Sequence, residues 1–285
     1  VRLPQAGGRT FRECLGRPGR VSRWWYHPVS FKDCEANRTF NFLIAIFAIR
    51  KIATLVNARR LVLVGVPPEL GAVLATGFPT RLENRRRSAT SVWRVFRALA
   101  GRVVYVGRFV ASWLRIRRLK NSFGGACDFA LSAFWNWSLR WDQDTQSLSD
   151  SYFGRLPSEL GGNDGSVAWF VWFDEGQSNK RERLKQLTRA SMSRSILSLP
   201  AELHLRDIGK AFLDFKPFWM YLTTRRYTEF RGAFMQEGLN LRSLFEESLL
   251  TGFLDASIVE CELLALATER ACRRCRPKAA LHFME

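Results

Sequence analysis

The sequence predicts an α/β fold: a Rossmann-like parallel sheet flanked by helices, with a helix-rich second part. Two stretches carry this expectation. Leu61–Val66 is a continuous, β-branched run that passes through a Gly/Pro turn into a helix start at Pro67-Pro68-Glu69. A buried strand between helices is α/β grammar, and proline is tolerated in a helix's first turn. Cys127–Asp174 holds two short aromatic runs, Cys127–Ser138 and Val167–Asp174, each bounded by turn residues. Such runs suit strands buried on both faces of a parallel sheet. With a short helix between them the stretch reads as a βαβ unit.

Taken in order, Val1–Arg23 is Gly/Arg/Pro-rich and is expected to be poorly ordered. Trp24-Trp25-Tyr26-His27-Pro28 follows, and Pro28 holds His27 extended. Phe40–Val56 has apolar residues at helical spacing, and Leu61–Val66 is the clearest strand. The helix opened by Pro67 runs to about Thr76, and Arg81–Arg87 reads as a basic loop. Over 91–120, Val92, Val95, Phe96, Leu99, Val103, Val106, Val110, Trp113 and Leu114 share one helical arc. Arg94, Arg97, Arg108, Arg115 and Arg118 lie on the other. This is either an interfacial membrane helix or an ordinary surface helix covering the sheet. After the central unit, Asn179–Ser195, Pro200–Phe218, Trp219–Glu237, Leu239–Phe253 and Ala256–Arg274 read as helices, and Lys278–Met284 as a last strand. The expected domains are 24–178 for the α/β part, 179–277 for a helical region and 278–285 for the start of a further strand. A first residue of Val1 and a last of Glu285, directly after an apolar run, lead us to expect a fragment.

The net charge of +18 is not spread evenly: Arg81 to Lys120 holds 12 Lys/Arg against one acid, Glu83. The basic footprint is therefore local, which fits an anionic membrane surface and disfavours a general nucleic-acid binder. Most aromatics sit inside apolar runs, where core packing is the default. The 6 cysteines show no framework spacing, so reduced thiols in a cytoplasmic setting are expected. No secretory leader pattern and no apolar run of about 18 residues is present.

Ligands of open α/β sheets bind where strands end. Asp174 and Glu175 close a strand, where a carboxylate can act as a catalytic base or simply cap the next segment. His27 is a second candidate base, against a packed or hydrogen-bonded histidine. Asp150 reads as a turn or N-cap residue, and Arg155 can grip a phosphate or carboxylate. Cys272-Arg-Arg-Cys275 is a lone CxxC with no second ligand pair, so no metal site is assigned. Gly65 and Gly161–Gly165 do not form a phosphate loop, and no cofactor is assigned.

Five pieces, in this order, resemble one family. They are Trp24–Ser30, Leu61–Glu69, Phe134-Trp135-Asn136-Trp137-Ser138, Asp150-Ser151-Tyr152-Phe153-Gly154-Arg155-Leu156-Pro157, and Leu281-His282-Phe283-Met284-Glu285. The set resembles bacterial surface carbohydrate (O-antigen) biosynthesis proteins of the glycosyltransferase kind. Ser151 departs from the family's pattern, which has Arg at that place. The resemblance implies the acceptor-side half of a GT-B-like architecture that often works without a metal. It implies a nucleotide-sugar donor, a glycan or lipid-linked acceptor, and a cytoplasmic protein peripheral to the inner face of the plasma membrane. Asp150, Arg155 and Glu285 would bind substrate, and His27 or Asp174/Glu175 would be the base. The alternative is a non-catalytic membrane-surface scaffold docking through the basic helix.

Overall fold

A computed structural model describes residues 38–83, 91–117, 125–135, 139–142, 147–161, 166–173, 180–190, 196–226, 232, 234–236 and 238–282. In chain order the elements are α1 (Arg38–Leu55), β1 (Leu61–Val64), α2 (Pro68–Gly77), β2 (Thr80–Glu83), α3 (Ser91–Ile116), β3 (Phe129–Phe134), β4 (Leu139–Asp142) and β5 (Ser147–Asp150). Then follow α4 (Leu156–Gly161), β6 (Val167–Trp172), α5 (Lys180–Ala190), β7 (Ile196–Ser198), a 3-10 turn (Leu199–Glu202), α6 (Leu205–Leu213) and α7 (Lys216–Thr224). The last are β8 (Met235–Gln236), β9 (Leu239–Asn240), α8 (Arg242–Gly252), α9 (Ala256–Cys275) and β10 (Ala279–His282). They form two compact units, Val1–Val103 with Asp214–Val259, and Val104–Leu213 with Glu260–Glu285.

The first unit is mainly helical. Ile46 of α1, Leu70, Val73 and Leu74 of α2, Tyr221 of α7, and Leu244 and Leu249 of α8 share one buried cluster with Leu63 of β1. Helix α1 stops because Asn57 takes a left-handed φ of 49°, and Ala58 N–H then bonds the Ala53 carbonyl at 2.8 Å. Two expectations change here. Arg81–Glu83, read as the start of a basic loop, belongs to the strand Thr80–Glu83, which pairs parallel to β1. Leu61–Val66, read as a buried strand, is a strand over Leu61–Val64 that among the described residues pairs only with β2, with Val62 and Val64 exposed. The Trp219–Glu237 helix ends at Thr224, and Met235–Asn240 turns back as an antiparallel hairpin through Gly238 at φ 80°. A positive φ suits glycine, which has no Cβ to clash.

The second unit holds the α/β sheet: four parallel strands in the order β10-β3-β6-β7, flanked by helices. Strand alternation decides its two faces. Leu131, Ala133 and Trp135 from β3 and its extension, with Trp169, Val171 and Phe173 from β6, meet Leu184, Leu187 and Ala190 of α5. On the other face Trp172 stacks on Phe109 of α3 at 5.6 Å and donates its indole N–H to Glu260 of α9 at 3.2 Å. Trp113 is buried and donates to the Leu203 carbonyl at 3.1 Å. The βαβ unit over Cys127–Asp174 is present, with β3 and β6 adjacent and parallel and α4 between them in sequence. One part differs: the segment read as an acidic turn around Asp142 and Asp144 contains the antiparallel pair β4–β5. Its strands are too short and too polar for periodicity to reveal them.

The long basic helix is present as α3, 26 residues. Its inward face differs from expectation, because Arg102 is fully buried. The Arg102 guanidinium lies 4.6 Å from the Phe215 ring centre and donates to the Asp214 carbonyl at 3.3 Å. An aromatic face and a carbonyl replace part of the water a guanidinium gives up.

Candidate functional site at the carboxyl edge of the sheet

In an open α/β sheet the binding crevice lies beyond the carboxyl ends of the strands, where strand order reverses. Here the chain steps from β3 to β6 to β7 in one direction, and β10 lies on the other side of β3. The reversal therefore falls between β3 and β10. The register Ala279↔Phe129 to His282↔Ser132 ends β10 level with Ser132, two residues before Phe134 closes β3. Beyond that point Trp135 N–H donates to the Trp172 carbonyl at 2.8 Å and Trp135 bridges to Leu139. The β4–β5 hairpin thus leaves from this edge, and its pairing Leu139↔Asp150 returns the chain to it.

Asp150 is the polar group built most firmly into the edge. It is 7% exposed. One carboxylate oxygen, Oδ1, accepts the N–H groups of Tyr152 at 2.8 Å and Phe153 at 2.9 Å. Its backbone carbonyl accepts from Gly154 N–H at 3.2 Å, and Gly154 takes φ 53°. Phe153 then packs edge-on against Trp169, with centroids 6.0 Å apart. The second oxygen, Oδ2, is buried and has no hydrogen-bond partner among the described residues. A buried carboxylate oxygen left unbonded is costly, and a donor reaches this one only when the turn over it opens. Arg155 follows on the same turn, exposed, and its carbonyl opens α4 by accepting from Ser158 Oγ at 2.6 Å.

The other expected site residues divide. His27, Asp174, Glu175, Glu285 and Arg118 lie outside the described residues. Trp172 and Phe173 bring the chain to the point where Asp174 follows, at the carboxyl end of β6. Arg97, Arg108 and Arg115 are exposed on α3, whereas Arg94 is tied to Glu69 at 3.3 Å. Asp150 and Arg155 are brought onto one turn.

The opposite, amino edge carries a polar cluster that no sequence spacing revealed. The Asp128 carboxylate accepts from Lys278 at 2.7 Å, from Ser166 N–H at 2.9 Å and from Ser166 Oγ at 3.2 Å. These bonds join the starts of β3, β6 and β10. The Lys278 bond, then those from Ser166, hold the Asp128 carboxyl down at about 2. Beside it Cys127 N–H donates to the Cys275 carbonyl at 3.2 Å. Burial, then the neighbouring Cys275 and Cys272 thiols, push the Cys127 thiol up to about 11. Such thiols are structural rather than nucleophilic. Among the described residues no three His, Cys, Asp or Glu side chains gather as a metal site requires.

Comparison with known proteins adds no relative: no family model, no curated protein and no solved structure matches the chain.

Proposed function

We propose that this chain is the acceptor-side α/β part of a GT-B-like glycosyltransferase in bacterial surface polysaccharide (O-antigen) assembly, using a nucleotide-sugar donor. The observation that supports it best is the carboxyl edge of a parallel sheet whose strand order reverses at β3/β10, with the buried Asp150 carboxylate at the end of the β4–β5 hairpin that leaves that edge. Glycosyl transfer needs an acceptor hydroxyl to be oriented and deprotonated as the nucleotide leaves. Asp150 Oδ2 accepts such a hydroxyl once the turn over it opens, and Arg155, exposed on the same turn, suits a phosphate or carboxylate of the acceptor. The proton goes to His27 or to Asp174/Glu175, the acids that follow β6. Glu285, three residues after β10 in the sequence, is the group we assign to the donor. The ordered motif set from Trp24 to Glu285 points to the same chemistry. The protein would work in the cytoplasm, peripherally at the inner face of the plasma membrane.

The test is sugar transfer by the whole gene product, with labelled nucleotide sugars and a lipid-linked acceptor extract. Transfer that falls at least about a hundredfold in His27→Ala or Asp174→Ala is expected for the base. Transfer unchanged in both removes those roles, and absence of transfer from every donor defeats the enzymatic reading and leaves the non-catalytic scaffold.

A further inference from the structure

Helix α3 exposes apolar side chains that a water-facing surface does not need. Val92, Trp93 and Phe96 are 76%, 56% and 61% exposed, and Val103, Val104 and Leu114 are half-exposed or more. At about 100° per residue these six positions fall on one arc of roughly 120°, with Ala100, Gly107 and Ala111 between them. Arg97, Arg108 and Arg115, all exposed, line one border of that arc. The opposite face is used already: Arg102, Phe109, Ser112, Trp113 and Ile116 are buried. No Asp or Glu occurs anywhere in the helix. The apolar arc is therefore not the face that packs on this chain's own core, and it carries one sign of charge along its rim.

We infer that α3 docks this protein on an anionic lipid surface, its Trp93–Phe96–Val103–Leu114 arc entering the headgroup boundary and Arg97, Arg108 and Arg115 meeting lipid phosphates. The charge complementarity selects the partner. An apolar arc with an all-cationic border matches acyl chains below and phosphates beside. A nucleic acid would meet phosphates with an apolar face, and an acidic protein would leave Trp93 and Phe96 to find a matched pocket. Among the described residues no helix is long and apolar enough to cross a membrane, so α3 lies on the surface rather than through it. This inference does not rest on glycosyl transfer; a protein without transferase activity would dock in the same way.

The experiment is flotation of the full chain with unilamellar vesicles of phosphatidylcholine alone, or of equal phosphatidylcholine and phosphatidylglycerol. Flotation with the anionic vesicles and not with the neutral ones is expected. The Trp93→Ala/Phe96→Ala variant should bind at least about tenfold more weakly, because both rings lose apolar contact. Reversing Arg97, Arg108 and Arg115 to Glu should weaken binding more than a hundredfold. Single Arg97→Gln, Arg108→Gln and Arg115→Gln changes should each cost about fivefold, and they serve if the triple reversal disturbs folding. No flotation with anionic vesicles overturns the inference. So does flotation unchanged in the aromatic and single-arginine variants, or capture by duplex RNA that outcompetes the vesicles.

Discussion

Asp150 separates a structural role from a ligand-binding one, because its two oxygens do different things. Replacing Asp150 with Ala removes Oδ1 and strands two backbone N–H groups that now bond at 2.8 and 2.9 Å. Tyr152 is exposed, so its amide can turn to water; Phe153 is half-buried against Trp169, so its amide cannot do so freely. One lost cap costs about 1 kcal/mol, and one buried unsatisfied amide about 1–3 kcal/mol. Removing the unbonded Oδ2 from the interior returns part of this. The balance for Asp150→Ala is a loss of about 2 kcal/mol, or a fall in Tm of roughly 3–4 °C at this chain length. Asp150→Asn keeps an acceptor at Oδ1 and should cost less than about 1 kcal/mol. Urea unfolding followed by tryptophan fluorescence gives the stabilities, and exchange of the Phe153 amide gives the local effect. Equal stability of the Ala variant and the native protein would refute the capping argument. If Asp150→Asn folds normally and still transfers sugar at the native rate, Oδ2 does not bind the acceptor.

Two further expectations concern the same unit. Asp207 is paired with Arg270 at 2.6 and 2.9 Å and caps α6 through His204 N–H at 2.8 Å. Burial raises its pKa, but the Arg270 bonds, the His204 amide and the Arg270 charge outweigh this and leave it lowered. A lowered carboxyl pKa stabilises the fold above about pH 4 and loses that contribution as pH falls through the folded value. Asp207→Asn should therefore be about 2 kcal/mol less stable at pH 7, with a gap from the native protein that closes below pH 4 in urea titrations. Cys127, pushed up to about 11, and Cys261, pushed up to about 12 by burial and then by Glu260 and Glu262, should resist iodoacetamide at pH 8 in the native state and react fully in urea. Rapid native alkylation of Cys127, read by mass spectrometry, would contradict its burial.

What the sequence determined by itself is what local periodicity encodes. The runs Phe129–Phe134, broken only by Ser132, and Val167–Trp172 are apolar because both faces of a parallel strand are covered, so strand type and parallel class were legible together. Helix α2 announced itself through Pro68 in its first turn, and α3 through its length and pattern. Asp150 was legible as a turn residue, since Asp before Tyr-Phe-Gly is turn chemistry. Only the tertiary structure decided the rest. It paired β10 with β3 across the length of the second unit, which is what puts the strand reversal, and so the candidate crevice, between them. It buried Arg102 and left Trp93 and Phe96 in solvent on a helix whose pattern favours burying the aromatics. It also left Asp150 Oδ2 without a donor among the described residues and set Cys127 beside Cys275. Each of these depends on partners far away in the chain. A residue's own neighbours set its helix or strand preference, but which face is covered, and by what, is settled only when distant segments compete for the same apolar surface.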